Sequence, residues 1–245
     1  TNRLLKLFIS ILFFITFRTF CIFAHVVKKK RLTTLVIVTY HAVREKHCVK
    51  FAKQMEILLK SGHPVRLDLI IAESNNQNFI AVTFDDGFQS VMQNALPILH
   101  KMNIPATIFV PTGCLGKKPE WIKDSTHAYS NEIVMTEEQL QSISSGLIDI
   151  ESHTVTHTHL DNIEEATIKS ELNESKTYLE TILKKKVKFL SVPYATFNEG
   201  FTHLFKQAGY ERVFLNIPTF PATKTDLYVM GRIKCGMSDW LIETR

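Results

Sequence analysis

The sequence predicts an α/β fold in which parallel strands alternate with helices around one hydrophobic core. Short apolar runs of strand length recur along the chain, and amphipathic stretches with helical spacing separate them. Polar and titratable residues directly follow several of these runs, which is where βα units place their functional groups. With 245 residues, of which 45% are hydrophobic, the chain is long enough for a single α/β barrel domain.

The individual elements are predicted from hydrophobic periodicity and from turn and capping residues. The predicted strands span residues 34–40, 79–82, 106–110, 147–150, 187–192, 212–215 and 228–234. The predicted helices span residues 48–60, 137–145, 163–185 and 199–208, and two more carry Val91 to Leu99 and surround Trp240. Thr136 and Gln139 form a predicted capping box. The loop 111–135 is long enough to face a substrate, and a purely structural excursion is an equal alternative.

Residues 1–31 are predicted to be a separate N-terminal segment, and residues 32–245 a single domain. The apolar run 7–17 is too short to span a bilayer alone, since a span needs about 20 residues. Arg18 interrupts the segment and the basic run 28–31 ends it. An uncleaved anchor, an interfacial helix and a cleaved export signal are all compatible with this pattern. We favour membrane attachment over cleavage, and we expect the protein to be membrane-associated or exported.

Charge and cysteine content exclude some classes of protein. The net charge is +5, and the basic clusters 28–31 and 184–186 are not interleaved with aromatic residues, so nucleic-acid binding is not expected. The four cysteines are widely scattered and form no Cys-x-x-Cys pair. A cysteine-bound zinc site is therefore not predicted.

The stretch 83–87, Thr-Phe-Asp-Asp-Gly, is the first candidate for chemistry because it follows an apolar strand. Adjacent carboxylates such as Asp85 and Asp86 raise one another's pKa unless a cation lies between them or one stays solvated. A polar turn is the alternative, since aspartate and glycine are also residues that favour turns.

A second stretch favours a metal site. His153 and His157 are four residues apart and follow another strand-like run. Two imidazoles and one carboxylate make three protein ligands with an open position, which is the pattern of a catalytic zinc-type site. The remaining carboxylate is then free to act as a base.

These stretches resemble the motifs of a known family. Residues 83–87 and 152–157 are similar to the first two motifs of the polysaccharide deacetylases, the NodB-homology or carbohydrate esterase 4 group. The resemblance extends over roughly residues 35–245 and includes the runs 105–110 and Pro193-Tyr194. It implies a distorted, incomplete (β/α) barrel and a NodB-like catalytic domain over residues 32–245.

The resemblance also implies roles for individual residues. Asp86, His153 and His157 would hold one divalent ion, and Asp85 would deprotonate a water molecule as general base. The backbone N–H of Tyr194 would stabilise the tetrahedral oxyanion. Zinc is the favoured ion, and cobalt, manganese and nickel remain open because oxygen and imidazole ligands suit all four.

The general acid is predicted to be His41. Many family members supply this proton from a late Leu-x-His segment, and none follows residue 203 here. The permuted poly-N-acetylglucosamine deacetylase subgroup uses an N-terminal Tyr-His pair, which Tyr40-His41 resembles. A strand-end histidine bonded only to backbone is the alternative, and His159 is a further candidate near the metal.

Two departures from the family pattern affect the third motif. Ser191 stands where the family usually has the arginine that orients the base, and Ala195 replaces a glycine. Arg232, on the last predicted strand, could approach the same place. The predicted substrate-binding residues are Pro193, Tyr194, Trp121 and Arg232.

The preferred hypothesis is a membrane-attached, metal-dependent hydrolase that removes N-acetyl groups from an amino sugar of the cell envelope. The altered third motif leaves a second hypothesis open, a hydrolase of another amide or of an O-acetyl ester on the same scaffold. A non-catalytic carbohydrate-binding relative is the third hypothesis. It is less favoured because such a protein has little use for two adjacent carboxylates.

Overall fold

A computed structural model describes residues 34–69, 77–144, 146–196, 198–217 and 228–236 of the chain. The predicted N-terminal segment 1–31 and the predicted helix around Trp240 lie outside these residues. Within the described ranges, no helix combines the length and the apolar character needed to cross a bilayer.

The fold is built from nine strands and five α-helices in the described residues. The strands are β1 (Thr34–Tyr40), β2 (His63–Pro64), β3 (Asn78–Phe84), β4 (Ala106–Val110), β5 (Ile148–Ser152), β6 (Phe189–Ser191), β7 (Arg212–Leu215), β8 (Val229–Gly231) and β9 (Ile233–Lys234). The helices are α1 (Cys48–Ser61), α2 (Leu96–Met102), α3 (Glu137–Ile143), α4 (Glu165–Leu183) and α5 (Thr202–Gln207).

All strand pairs are parallel, and the order across the sheet is β8-β7-β6-β5-β4-β3-β1-β9, with β2 beside β3. The two edge strands β8 and β9 are separated in sequence only by Arg232, so the sheet curls until its edges meet. Strands β5 and β6 share only the pair Ser152 and Leu190. The result is a nearly closed, distorted (β/α) barrel, which confirms the predicted fold class.

Successive side chains of a strand point to opposite faces of the sheet, and this alternation explains the two layers of the core. In β4, for example, Ala106, Ile108 and Val110 belong to the large cluster between sheet and helices. Phe109 belongs to a smaller cluster contributed by most strands, which fills the barrel interior. The members of this interior cluster are Ile37, Leu67, Ala81, Phe109, Phe189, Phe214 and Met230.

Helix boundaries follow local backbone chemistry. The capping box of α3 is confirmed, with the Thr136 hydroxyl accepting from the Gln139 N–H and the Gln139 side chain accepting from the Thr136 N–H. Helix α4 is shorter than predicted, because Glu164 is extended and Lys184 adopts the left-handed conformation (φ 53°) that ends a helix.

Other elements differ from the sequence prediction in their details. The predicted helix over Val91 to Leu99 begins with a π-turn at Val91–Ala95, and the one over 199–208 begins with a 3₁₀ turn at Glu199–Phe201. The predicted last strand over 228–234 is divided at Arg232 into β8 and β9. Because each half pairs with a different neighbour, this division is what brings the two edges of the barrel together.

Candidate active site

The candidate site lies at the carboxyl ends of strands β1, β3 and β5, with β4 between the last two. Asp85 and Asp86 directly follow β3, and His153 directly follows β5. His41 directly follows β1, whose last residue is paired with the last residue of β3. Parallel strands deliver their carboxyl ends to one rim of a barrel, so these side chains meet there.

Asp86, His153 and His157 converge as predicted. Asp86 Oδ1 lies 3.2 Å from His157 Nε2 and 3.6 Å from His153 Nε2. One ligand atom from each residue lies within 4.8 Å of the others. Atoms bound tetrahedrally to one ion at about 2.1 Å lie about 3.4 Å apart, so the observed separations suit one divalent cation.

The chemistry of these donors also fits a cation. Asp86 Oδ1 is buried and lacks a hydrogen-bond partner among the described residues. His153 Nδ1 lies 2.7 Å from the Ser191 carbonyl oxygen, to which it can donate, and this leaves Nε2 free to bind a metal. Burial lowers the pKa of His153 to about 4, against the opposing effect of the Asp85 carboxylate. The imidazole is therefore neutral at pH 7, as a ligand must be.

The backbone around Asp86, His153 and His157 is strained. Among the described residues, the non-glycine positions with positive φ include Asp86 (69°), Thr154 (67°), His157 (58°), Tyr194 (58°) and Ala195 (56°), all in the site. Such conformations cost of order 1–3 kcal/mol each and concentrate at functional sites. The surrounding structure therefore imposes these backbone conformations, which the residues would not adopt by their own conformational preference.

Gly87 lets the turn after the two carboxylates pack against the barrel. Its φ is 60°, and a Cβ atom there would lie 2.9 Å from the Val110 side chain. Any larger residue would strain the backbone and push against β4. The glycine is thus required by the position of Asp86, its neighbour in the turn.

The loop that carries both histidines is held by a glutamate of α4. Glu171 Oε2 accepts hydrogen bonds from the N–H groups of Val155 (2.8 Å) and Thr156 (2.9 Å), and its Oε1 accepts from the Thr156 hydroxyl (2.7 Å). On the other side, the Gly113 N–H donates to the Val155 carbonyl at 2.8 Å. These bonds fix the backbone between the two imidazoles.

Asp85 is fully buried and is held by Asn216, which follows β7, and by Arg232, which lies between β8 and β9. Arg232 Nη1 donates to Oδ1 and Nη2 to Oδ2, both at 2.8 Å, and Asn216 Nδ2 donates to Oδ2 at 3.0 Å. Burial by itself raises the pKa of this carboxyl group. The charge of Arg232, followed by those of His153 and His41, more than offsets that effect, so the pKa of Asp85 lies well below its usual range.

Arg232 also contacts the residue that replaces the family's third-motif arginine. Its Nη2 donates to the Ser191 hydroxyl at 2.6 Å, and its Nη1 to the Thr83 hydroxyl at 3.2 Å. The residue is 1% exposed. Arg232 therefore joins Ser191 to Asp85, and it reaches both from the break between β8 and β9.

His41 lies close enough to Asp86 and Asp85 to feel both charges, but it is not part of the cluster of Asp86, His153 and His157. Burial lowers the pKa of His41, while the charges of Asp86 and Asp85 oppose that shift. The ring stacks on Tyr129 of the long loop, with centroids 5.8 Å apart and planes 16° apart. This contact ties the predicted general acid to the loop 111–135.

The remaining predicted residues surround His157. Trp121 is half-buried and stacks on the His157 ring at 4.3 Å. Tyr194 is 45% exposed, meets His157 edge-on at 4.8 Å and stacks on His159 at 3.6 Å. Pro193 is buried directly before Tyr194.

Sequence reasoning did not identify Glu171 or Asn216. Asn216 directly follows β7. Polar residues at the carboxyl ends of strands face the site in this fold, so its position alone predicts a place in the site. Glu171 lies in the middle of an amphipathic helix that was assigned packing alone. No local pattern distinguishes it from the exposed acidic residues of that helix.

Comparison with known proteins agrees with this geometry. A sequence model described as "Polysaccharide deacetylase" matches residues 72–213. The Bacillus subtilis protein YxkH, named as a polysaccharide deacetylase, is 24% identical over 225 residues, covering 86% of this chain and 76% of its own length. The poly-beta-1,6-N-acetyl-D-glucosamine N-deacetylase of Staphylococcus aureus is 30% identical over 141 residues, covering 54% of this chain and 46% of its own length.

Solved structures show the same fold. IcaB from Ammonifex degensii superposes with a TM-score of 0.70 at 23% identity, covering 83% of this chain and 92% of that one. The match of the family model covers more than half of the sequence. The chain therefore belongs to the polysaccharide deacetylase family, as its motifs predicted.

Proposed function

We propose that this protein is a divalent-metal-dependent N-deacetylase that hydrolyses the acetamido groups of an N-acetylated amino-sugar polymer. The convergence of Asp86, His153 and His157 beside the buried carboxylate of Asp85 is the observation that carries this proposal. The Staphylococcus aureus relative, named for poly-beta-1,6-N-acetyl-D-glucosamine, supports a polymer of this kind as the substrate.

Asp86, His153 and His157 would hold the ion, and Asp85 would act as the general base. A divalent ion at this site supplies Lewis acidity, which polarises an acetyl carbonyl and favours ionisation of water. Zinc fits one carboxylate and two imidazoles, and cobalt, manganese and nickel fit them as well. The low pKa of Asp85 keeps it ionised near pH 7, which is the form that a general base needs.

His41 would return a proton to the leaving amine. Its lowered pKa makes the protonated ring a stronger acid than an ordinary histidine, which suits protonation of an amine as the C–N bond breaks. The backbone N–H of Tyr194 would hold the developing oxyanion. Next to the buried Pro193, the exposed ring of Tyr194 would contact the sugar beside the reacting acetamide.

We also propose that the protein works at the cell envelope, attached to the membrane through residues 1–31. The apolar run and its basic flank support this location. Retention of the full chain in the membrane fraction after a high-salt wash, with release by detergent, is the expected result. Recovery in the soluble fraction without detergent would contradict it.

Acetate release tests the proposed activity. We expect the wild-type protein to release acetate from N-acetylglucosamine oligomers much faster than from acetyl-xylan or simple amides. Asp85→Asn and His153→Ala should each lower kcat/KM by about 100-fold or more, because they remove the base and a ligand. Lys117→Ala, on the exposed part of the long loop, is the control variant and should retain the wild-type kcat/KM.

Three outcomes decide between the candidate functions. Faster release from acetyl-xylan would favour an O-acetyl esterase over an N-deacetylase. Sugar binding without acetate release would favour a carbohydrate-binding protein. Full activity of Asp85→Asn would contradict the proposed mechanism on any substrate.

A further inference from the structure

The two imidazoles of the proposed metal site are oriented in different ways. His153 Nδ1 lies 2.7 Å from the Ser191 carbonyl, a hydrogen bond that fixes its tautomer and ring plane. His157 Nδ1 is buried and has no hydrogen-bond partner in the part of the chain that the structure describes. Metal-binding histidines usually donate their second N–H to an acceptor, so another contact must orient His157.

Among the described residues, Trp121 makes the closest ring contact with His157. The two rings are nearly parallel, with an interplanar angle of 18° and centroids 4.3 Å apart. The rings of His153 and Tyr194 meet His157 edge-on, at 4.7 Å and 4.8 Å. The imidazole is therefore confined by one stacked plane and two ring edges.

The indole is itself anchored to the core. It is half-buried and lies nearly parallel to the fully buried ring of Phe88, at 6.4 Å and 18°. The N–H of Gln89, the next residue, donates to the Ile133 carbonyl at 2.8 Å and ties this turn to the end of the long loop. Trp121 is thus held from the core side while it covers a metal ligand.

We propose that Trp121 is a positioning residue that holds His157 in its metal-binding orientation by stacking, in place of the missing hydrogen bond. The inference rests on the metal site proposed above and adds a determinant of metal affinity outside the ligand set. It differs from a role as a sugar platform, which would change KM and leave the metal affinity unaltered.

Metal affinity of the full chain tests the proposal. We expect Trp121→Ala to weaken Zn²⁺ binding, measured by chelator competition, by about 10- to 100-fold, as for other residues that orient metal ligands. Trp121→Phe should restore most of the affinity because it retains an aromatic plane. Tyr129→Ala is the matched control, since it removes an aromatic ring of the same loop that stacks on His41 and not on a ligand.

Fluorescence provides a measurement that leaves Trp121 intact. The chain has two tryptophans, so Trp240→Phe makes Trp121 the sole indole. Titration with Co²⁺, a quenching ion, should reduce its emission several-fold and saturate at one ion per chain. Emission that does not change while Co²⁺ binds would overturn the proposal, even if Trp121→Ala failed to fold.

The outcomes separate this inference from the proposed function. Equal Zn²⁺ affinity in wild type and Trp121→Ala, with a raised KM in the variant, would overturn the positioning role and leave the metal site in place. A wild-type protein that binds neither Zn²⁺ nor Co²⁺ would overturn both. A weakened affinity in Trp121→Ala with unchanged thermal unfolding of the metal-free protein would support the positioning role.

Discussion

At the scale of single residues, the pair formed by Asp85 and Arg232 explains how the site keeps a buried carboxylate charged. An isolated ionised carboxylate is very costly to bury, and a bidentate guanidinium with a further amide donor offsets that cost. The same pairing aims the carboxylate, because each oxygen accepts from a separate Nη atom.

Arg232→Lys should lower kcat/KM by about 10- to 100-fold, since lysine keeps the charge but loses the bidentate geometry. Arg232→Met should also raise the pKa of Asp85, because the lowering charge is gone. Asp85 then loses its basic form at a higher pH, so the acid limb of the pH profile of kcat/KM should move to higher pH.

The matched control for Arg232 is Arg212→Lys. Arg212 is another buried arginine, but it donates to the Leu67 carbonyl and not to any residue of the site. The double change Ser191→Arg with Arg232→Ser returns the arginine to the position that the family pattern uses, and it should recover part of the lost rate. An unshifted pH profile in Arg232→Met would contradict the assigned role.

Ala195 carries strain that a glycine would remove. Its φ is 56°, and the family pattern has glycine there. Ala195→Gly should raise the free energy of unfolding by up to about 1 kcal/mol, because relief of the left-handed strain exceeds the added entropy of the unfolded chain. Ala195→Val should lower it. Urea unfolding at neutral pH measures both, and a glycine variant no more stable than wild type would refute the strain.

At the scale of elements, helix α4 does more than pack. Its apolar face lies on the barrel, with Ile168, Leu172 and Leu179 buried, while Glu171 bonds to the loop between the two histidines. One helix therefore connects the hydrophobic core to the geometry of the proposed metal site.

Glu171→Gln should weaken metal binding by about tenfold, because an amide is a poorer acceptor for the two N–H groups and the hydroxyl that fix this loop. Isothermal titration with Zn²⁺ measures the affinity. Glu180→Gln is the control, since Glu180 also accepts a backbone N–H, that of Val187, but away from the site. Equal metal affinity in the two variants would show that Glu171 does not act on the ligands.

Predictability from sequence also differs between elements. The motif 83–87 could be placed because it begins at the end of the apolar strand β3, and the motif 152–157 because it begins at the last residue of β5, whose two isoleucines are buried. The two halves of the last strand could not be separated, because the division at Arg232 depends on pairing with β7 on one side and β1 on the other. Such pairing is a property of the closed barrel and leaves no local pattern.

At the scale of the whole molecule, barrel closure and the site depend on one another. Arg232 sits between the two edge strands and binds Asp85, which is 147 residues away in sequence. The sequence was sufficient to predict the fold class, from the alternation of strands and helices, and the convergence of Asp86, His153 and His157, from two short motifs. It was not sufficient for Glu171, whose role arises from the packing of a helix against a distant loop.

Metal removal and replacement is the measurement that tests the central claim most directly. Acetate release from N-acetylglucosamine oligomers should fall to background after chelation, because Asp86, His153 and His157 then no longer hold an ion. Activity should return in proportion to added Zn²⁺ or Co²⁺ and saturate at one ion per chain, and His157→Ala should not recover at that stoichiometry. Full acetate release by protein whose metal content has been measured as negligible would contradict the account.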